Sequence, residues 1–89
     1  MKPNNPVTEK FCAALAANFK NAREENGISK SELSQRTGLS RQSILYTEEL
    51  MRVPSVSTLH SISLGLDLPL WKLVKQAEDT VYLKIPDSK

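Results

Sequence analysis

Cysteine and histidine, two residue types that often do chemistry in proteins, occur once each in this chain of 89 residues. Cys12 lies among small apolar residues, which predicts a buried and inert thiol. His60 follows Leu59 on the outer side of a predicted helix, where we expect it to be exposed. One cysteine cannot form an internal disulfide or a multi-cysteine zinc site. With no phosphate-binding glycine loop and no metal-ligand spacing, we predict no enzyme, no metal and no cofactor.

A different chemistry is indicated by the segment Ser29 to Leu50, where the sequence predicts a short helix, a tight turn and a second short helix. Its length and turn residues fit a helix-turn-helix. Gly38 stands where the chain needs a positive φ angle, and Leu39 would anchor the turn in the core. Ser40 would cap the second helix, which places its hydroxyl and the first backbone N–H groups near a phosphate.

Apolar residues at helical spacing predict five helices. Helix one is expected from Pro6 to about Asn26, with Asn5 as its cap. The later helices are expected to start at Ser29, at Arg41 (running to Leu50), after Ser55 and at Pro69. The residues expected to face inward are Phe11, Leu15, Phe19, Ala22, Leu33, Thr37, Ile44, Val56, Leu59, Ile62, Ser63, Leu70, Leu73, Val74 and Ala77.

The composition is that of one globular domain, with 39% hydrophobic and 25% charged residues. Few glycines and aromatics disfavour a β-sandwich or barrel, which needs many turns. The net charge of +2 decides little about partners. The longest apolar run, Phe11 to Ala17, is too short to span a membrane. The N-terminus has no signal-peptide core, so we expect a cytoplasmic protein without membrane contact.

The C-terminal residues depart from helical spacing. Apolar and polar side chains alternate from Val81 to Ile85, and Pro86 closes the run, which predicts a short strand. A lone strand must pair with another copy, lie against the helices or stay unpaired. We therefore divide the chain into a flexible tail (1–5), a helical domain (6–78) and a C-terminal tail (79–89).

An ordered set of residues at fitting spacings comprises Phe19, Arg23, Asn26-Gly27-Ile28-Ser29, Glu32-Leu33, Gly38-Leu39-Ser40, Ser43-Ile44, Glu48, Pro54-Ser55, Leu59, Leu64-Gly65-Leu66 and Leu73. This set resembles the Cro and phage-repressor helix-turn-helix family, also called the XRE family. The resemblance implies an all-α, compact five-helix, lambda-repressor-like DNA-binding domain. Helix two would brace the DNA backbone while helix three enters the major groove. The expected function is sequence-specific transcriptional regulation, as a repressor that binds double-stranded DNA.

The resemblance assigns base reading to three residues of helix three, Arg41, Gln42 and Tyr46. Arginine can bind guanine, and glutamine adenine, through two hydrogen bonds. Tyr46 shares a helix face with Gln42 and would reach a base edge or a phosphate. Leu45 holds a position that is usually small or polar in the family. It would either contact a thymine methyl group or be partly buried.

The resemblance also yields phosphate candidates, whose contacts set affinity and register without reading sequence. They are Lys30, Arg36, Ser40, Ser43 and Arg52. Lys30 stands where the family often has a glutamine. For each DNA-contact candidate, a solvated surface side chain is the alternative. Arg23 and Glu48 match a partly buried ion pair of relatives, which we interpret as structural.

Two residues depart from the family pattern. Relatives commonly have a polar or basic residue and then a glycine where this chain has Glu49 and Leu50. Glu49 would repel phosphate, and Leu50 either extends helix three or forces a different loop. These departures and the near-neutral charge keep an alternative open: a protein-interaction module on the same fold, such as an antitoxin or a phage accessory protein, with weak or no DNA binding.

A homodimer is expected, because family members usually pair to read two half-sites one helical turn apart. Residues 80–86 are the candidate pairing element. Two copies could form an antiparallel ribbon, or the tail could cross helix five of a partner.

Overall fold

The structure is a computed structural model that describes residues 5–82. These residues form five α-helices, α1 (Pro6–Glu25), α2 (Lys30–Thr37), α3 (Arg41–Glu48), α4 (Val56–Gly65) and α5 (Leu70–Tyr82). α1 packs along α5 and also touches α3, while α2 packs against α3 and α4. The described range contains no strand, and the predicted all-α fold of five helices is confirmed. None of these helices is both long and apolar enough to cross a membrane.

A single apolar core joins the helices. It consists of Leu15, Phe19, Ala22, Ile28, Leu33, Ile44, Ile62, Leu66, Leu73 and Ala77. Phe19, Leu33 and Ile44 are fully buried, so α1, α2 and α3 meet at the centre of the molecule. Burying each such side chain contributes about 1.5–3 kcal/mol to folding. This packing fixes the position of α3 against the rest of the domain.

The turn between α2 and α3 and the end of α4 both depend on glycine. Gly38 has a φ angle of 79° and ends α2 in the left-handed region, as the sequence predicts. A Cβ atom on Gly65 would lie 2.6 Å from Thr37 Cγ2 and 2.8 Å from Leu33 Cδ1. A side chain at position 65 would therefore displace Thr37 and Leu33, so glycine allows the end of α4 to approach α2 closely.

The prediction that Val56 faces inward is wrong. The exposed fraction along this face of α4 rises from 1% at Ser63 to 74% at Val56, with Leu59 half-buried between them. The start of α4 therefore projects beyond the core, although its spacing places Val56 on the inner face.

The predicted strand is also wrong at its first two residues, because α5 continues through Val81 and Tyr82. Val81 is 5% exposed and extends the buried stripe of Leu73 and Ala77 by one more helical turn. The boundary expected after residue 78 thus falls inside α5. Residues 83–86 of the predicted strand lie outside the described residues.

α3 ends at Glu48 rather than at Leu50. Leu50 has a φ angle of 54°, and the next N–H group, that of Met51, donates to the carbonyl oxygen of Tyr46 at 2.9 Å. This is the hydrogen-bond pattern that usually places glycine in the left-handed position. Of the two outcomes expected for Leu50, the different loop is the one observed.

Candidate nucleic-acid interface

α3 has one buried and one outer face. Ile44, Thr47 and Glu48 are buried, while Arg41 and Gln42 are exposed. Leu45 and Tyr46 are half-buried. We call the four side chains Arg41, Gln42, Leu45 and Tyr46 the outer ridge of α3. These are the four residues that the sequence predicts to read bases, and Leu45 is partly buried, one of the two outcomes expected for it.

Serine residues cap both helices of the helix-turn-helix. The Ser29 hydroxyl accepts from the N–H of Glu32, and the Ser40 hydroxyl accepts from the N–H of Ser43, each at 3.0 Å. The Ser40 hydroxyl also donates to Ser43 Oγ at 3.0 Å. The first N–H groups of a helix have no partner within the helix and carry partial positive charge. The exposed start of α3 can therefore hold an anion beside Ser40.

Two hydrogen bonds organise the outer ridge. The Arg41 guanidinium donates to Ser31 Oγ at 3.3 Å, a long contact between α3 and α2. Gln42 Nε2 donates to Tyr46 Oη at 2.7 Å, one helical turn along α3. Arg41 is thus held weakly, whereas Gln42 and Tyr46 are closely joined.

Arg52 lies against the outer ridge. Its guanidinium carbon is 4.7 Å from the centre of the Tyr46 ring, within the range of a cation–π contact. Arg52 belongs to the loop between α3 and α4 and is exposed. The sequence identified Arg52 as a phosphate candidate but gave no sign of its contact with Tyr46.

Arg36 ties α2 to its surroundings. Its guanidinium donates to a carboxylate oxygen of Glu32 at 2.8 Å and to the carbonyl oxygen of Gly65 at 3.0 Å. Lys30, by contrast, lies half-buried at the start of α2. The phosphate candidates therefore differ, because Arg36 already has acceptors within the domain.

The predicted ion pair between Arg23 and Glu48 is present and buried. Arg23 Nε lies 2.7 Å from Glu48 Oε2, and a second N–H group donates to Glu48 Oε1 at 3.1 Å. A third donates to the carbonyl oxygen of Ile28 at 2.8 Å. The hydrogen bond with Glu48 raises the pKa of Arg23, so the guanidinium stays charged. This pair fixes the end of α3 to α1.

Glu49 has a partner that sequence reasoning missed. Lys20 Nζ lies 3.1 Å from Glu49 Oε2, and both side chains are exposed. This hydrogen bond raises the pKa of Lys20, because the carboxylate favours the protonated amine. Lys20 belongs to α1, whereas Glu49 follows α3; likewise Ser31 belongs to α2, whereas its partner Arg41 belongs to α3. Residue spacing within one helix therefore cannot predict either contact. The negative charge of Glu49 is therefore balanced locally.

The two residues considered for catalysis differ in their exposure. His60 is exposed, as predicted, while Cys12 is half-buried rather than fully buried. Cys12 lines an apolar cavity of about 120 Å³ that also includes Phe11, Phe19 and Leu50. Within residues 5–82, no group of three or more His, Cys, Asp or Glu side chains could hold a metal ion.

Comparisons with known proteins find a matching family, a similar sequence and a similar solved structure. The profile of the helix-turn-helix family matches residues 19–70, which is more than half of the chain. An uncharacterized HTH-type transcriptional regulator of Sinorhizobium fredii, y4dJ, is 29% identical over 68 residues, covering 76% of this chain and 88% of that protein. The crystal structure of a hypothetical transcription factor from Neisseria, NHTF, superposes with a TM-score of 0.70 at 20% identity, covering 93% and 97% of the two chains.

Proposed function

The chain belongs to the helix-turn-helix family of Cro and phage repressors, the XRE family, and we propose that it represses transcription by inserting α3 into the major groove of an operator. The family consists of DNA-binding transcription regulators. A domain that fills the groove of an operator excludes other proteins from the same DNA, which is the physical basis for proposing repression. We propose binding without catalysis, in the cytoplasm, with double-stranded DNA as the partner.

The outer ridge of α3 is the observation that carries this proposal. Arg41 and Gln42 are exposed on the first turn of α3, and Tyr46 lies one turn further on the same side. An α-helix fits the major groove, where each base pair presents its own pattern of donors and acceptors. Arg41 is the guanine reader in this proposal, since its long bond to Ser31 is readily exchanged for a base. Leu45 is only partly buried, and we propose that its accessible part packs against a thymine methyl group.

Phosphate contacts would come from the two helix starts. We assign them to Lys30 at the start of α2 and to Ser40 and Ser43 at the start of α3, where the helix dipoles favour an anion. Arg36 donates to the carbonyl oxygen of Gly65 and thereby joins α2 to α4. We therefore propose that Arg36 mainly stabilises the position of α2 and contributes less than the other candidates to phosphate binding. Arg52 adds positive charge beside the ridge.

We propose a homodimer as the DNA-binding unit. One such domain buries little surface on DNA, and two copies can read two half-sites one helical turn apart. The segment after α5 remains the proposed pairing element. Because α5 includes Thr80 to Tyr82, we narrow this element to residues 83–86.

Binding to duplex DNA across a salt series tests the proposal. Each phosphate neutralised by a lysine or arginine contributes about −0.9 to the slope of log K against log salt concentration. Binding should therefore weaken steeply as salt rises, and selection from a random pool should yield a palindromic site. Absence of binding to any duplex at low salt would contradict the proposed function.

A second candidate function is a protein-interaction module on the same fold. Leu64 and Trp71 favour it, because their side chains are 66% and 64% exposed. Glu49 was expected to favour this second function by repelling phosphate. That argument is weaker in the structure, because Lys20 pairs with Glu49 and balances its negative charge. If DNA binding is absent while a protein partner protects Trp71 from solvent, this second function is the correct one.

A further inference from the structure

The apolar cavity that Cys12 lines has the size and polarity to hold one aliphatic side chain. Its volume is about 120 Å³, and Phe11, Phe19 and Leu50 contribute to its wall. For comparison, an apolar cavity of about 150 Å³ binds a molecule as large as benzene. Val53 also lines this cavity and is 50% exposed, so part of the apolar wall is in contact with solvent.

A second hollow lies next to the cavity, between the start of α1 and the end of α5. Val7, Phe11 and Val81 line it, together with Thr8 and Glu78, and Val7 is 44% exposed. Phe11 lines both hollows, so they follow one another along α1. We call the cavity and this second hollow together the α1 groove.

The residues that follow α5 carry side chains that fit the α1 groove. Leu83 and Ile85 alternate with Lys84 up to Pro86, a pattern typical of an extended segment with one apolar side. Residues two apart in an extended chain are separated by about 6.6 Å, and one turn of α1 rises by about 5.4 Å. The spacing of Leu83 and Ile85 therefore matches that of the two neighbouring hollows.

The direction of α5 favours the groove of a second copy over the groove of the same chain. α5 runs antiparallel to α1, because Asn18 donates to the carbonyl oxygen of Leu73 in the first half of α5, while Val7 lies beside Val81 at its end. The chain leaving α5 therefore points past the start of α1, whereas the cavity lies back along α1. To enter its own cavity the chain would have to reverse, and residues 82–85 contain no glycine, proline, asparagine, aspartate or serine to form a turn.

We propose that residues 83–86 of each copy extend into the α1 groove of the partner copy. Ile85 enters the apolar cavity, and Leu83 occupies the hollow beside it, next to Val7. Four residues of extended chain span about 13 Å, which is longer than the rise of about 6 Å from Val7 to Phe11 along α1. The exchange is reciprocal, because a two-fold axis presents the same surface on both copies. This inference rests on the proposed homodimer and names the surface that receives its pairing element.

Oxidative cross-linking tests the exchange, because Cys12 lines the cavity and is the one cysteine of the chain. In Ile85→Cys, an added oxidant such as diamide should join the new thiol to Cys12 of the other copy. Most of this variant should then migrate as a dimer in the absence of reductant. Lys84→Cys is the matched control and should link far more slowly, since neighbouring side chains of an extended segment point to opposite faces.

Peptide mapping of the linked protein separates the possible occupants of the groove. A disulfide to Cys12 within one chain would show that each tail fills its own groove. A disulfide between the two introduced thiols would indicate a ribbon formed by the two tails. Either result, or the absence of any disulfide in Ile85→Cys, would overturn the inference.

Val53→Asp tests the groove without a cross-link. Val53 is already exposed in the single chain, so the substitution should leave the helical content intact, but a carboxylate cannot be buried against an aliphatic side chain without a large cost. The Kd of the dimer should rise about a hundredfold or more, because each dimer contains the site twice. Leu64→Asp is the matched control, since Leu64 is 66% exposed and lies outside the α1 groove. A dimer that sediments unchanged in Val53→Asp would overturn the inference.

Both experiments are carried out without DNA, which separates this inference from the proposed DNA binding. If the tails are exchanged but no duplex is bound, the proposed DNA binding fails and the inference stands. If the protein binds duplex DNA but Cys12 and the thiol of Ile85→Cys are never joined between copies, the inference fails and the proposed DNA binding stands.

Discussion

At the scale of single residues, Arg41 and Gln42 are prepared for DNA in different ways. Arg41 is exposed and makes one long hydrogen bond, 3.3 Å to Ser31 Oγ. Such a bond is weak, so little free energy is lost when the guanidinium turns to a base. Gln42 makes a short bond to Tyr46 and is held in place. Arg41 is therefore the residue whose replacement should test base reading most simply.

Arg41→Ala should fold normally and lose about 1–3 kcal/mol of binding free energy on its preferred site. Its discrimination should relax at one base pair, because the bidentate contact to that base is lost. The measurement is the affinity for the preferred duplex and for its single-base variants. Lys75→Ala is the matched control, since it removes one positive charge from α5, away from the outer ridge. A uniform loss across all sequences would instead identify Arg41 as a phosphate contact.

At the scale of helices, four helices are followed by a residue with a positive φ angle, and only two of these residues are glycine. They are Gly27 after α1, Gly38 after α2, Leu50 after α3 and Asp67 after α4. Side chains disfavour this region by about 1–2 kcal/mol. Leu50 compensates in part, because its side chain lines the apolar cavity with Phe11 and Phe19. Asp67 is exposed and gains no such burial.

Asp67→Gly should therefore raise the free energy of unfolding by only about 0.5 kcal/mol or less, because aspartate tolerates this region better than most side chains do and glycine has greater freedom in the unfolded chain. Denaturant unfolding measures the change. Asp79→Gly is the control within α5, where glycine should lower the stability by about 0.5 kcal/mol through its lower helix propensity and the loss of the exposed pair with Lys75. A decrease at both positions would contradict the assignment of strain to Asp67.

The helices could be predicted from sequence because their signals are local. The caps Ser29, Ser40 and Ser55 begin their helices as predicted. The predictions for Val56 and Val81 were wrong because local sequence does not decide them. Whether the start of α4 is buried at Val56, and whether α5 continues through Val81, depends on which surfaces the other helices cover. The contact of Arg52 with Tyr46 could not be predicted either, since it depends on the path of the loop after α3.

At the scale of the whole molecule, the Arg23–Glu48 pair connects the reading helix to the longest helix. Glu48 is the last residue of α3, and Arg23 lies near the end of α1. Both side chains are buried. Loss of one partner would leave a buried charge without compensation, so a defect in DNA binding after such a loss would reflect folding.

Arg23→Ala should lower the free energy of unfolding by about 3–5 kcal/mol. Lys75→Ala, which breaks an exposed pair with Asp79, should change it by less than about 1 kcal/mol. Urea unfolding followed by circular dichroism measures both. Equal and small effects would show that the buried pair has no structural role.

The proposed dimer can be tested by removing residues 83–89. The deletion must stop after Tyr82, because Val81 belongs to the buried face of α5. The shortened chain should keep its helical content, sediment as a monomer and bind half-sites only. Removal of residues 1–4 is the control, since it leaves the cap Asn5 in place. An unchanged dimer after deletion of 83–89 would assign pairing to another surface.

NMR titration of the labelled protein with a duplex selected from a random pool tests most directly whether the outer ridge of α3 meets DNA. The largest changes in chemical shift should occur at Arg41, Gln42 and Tyr46 and at the first N–H groups of α2 and α3. Changes confined to the surface around Leu64 and Trp71, with the outer ridge unaffected, would contradict the proposed binding mode.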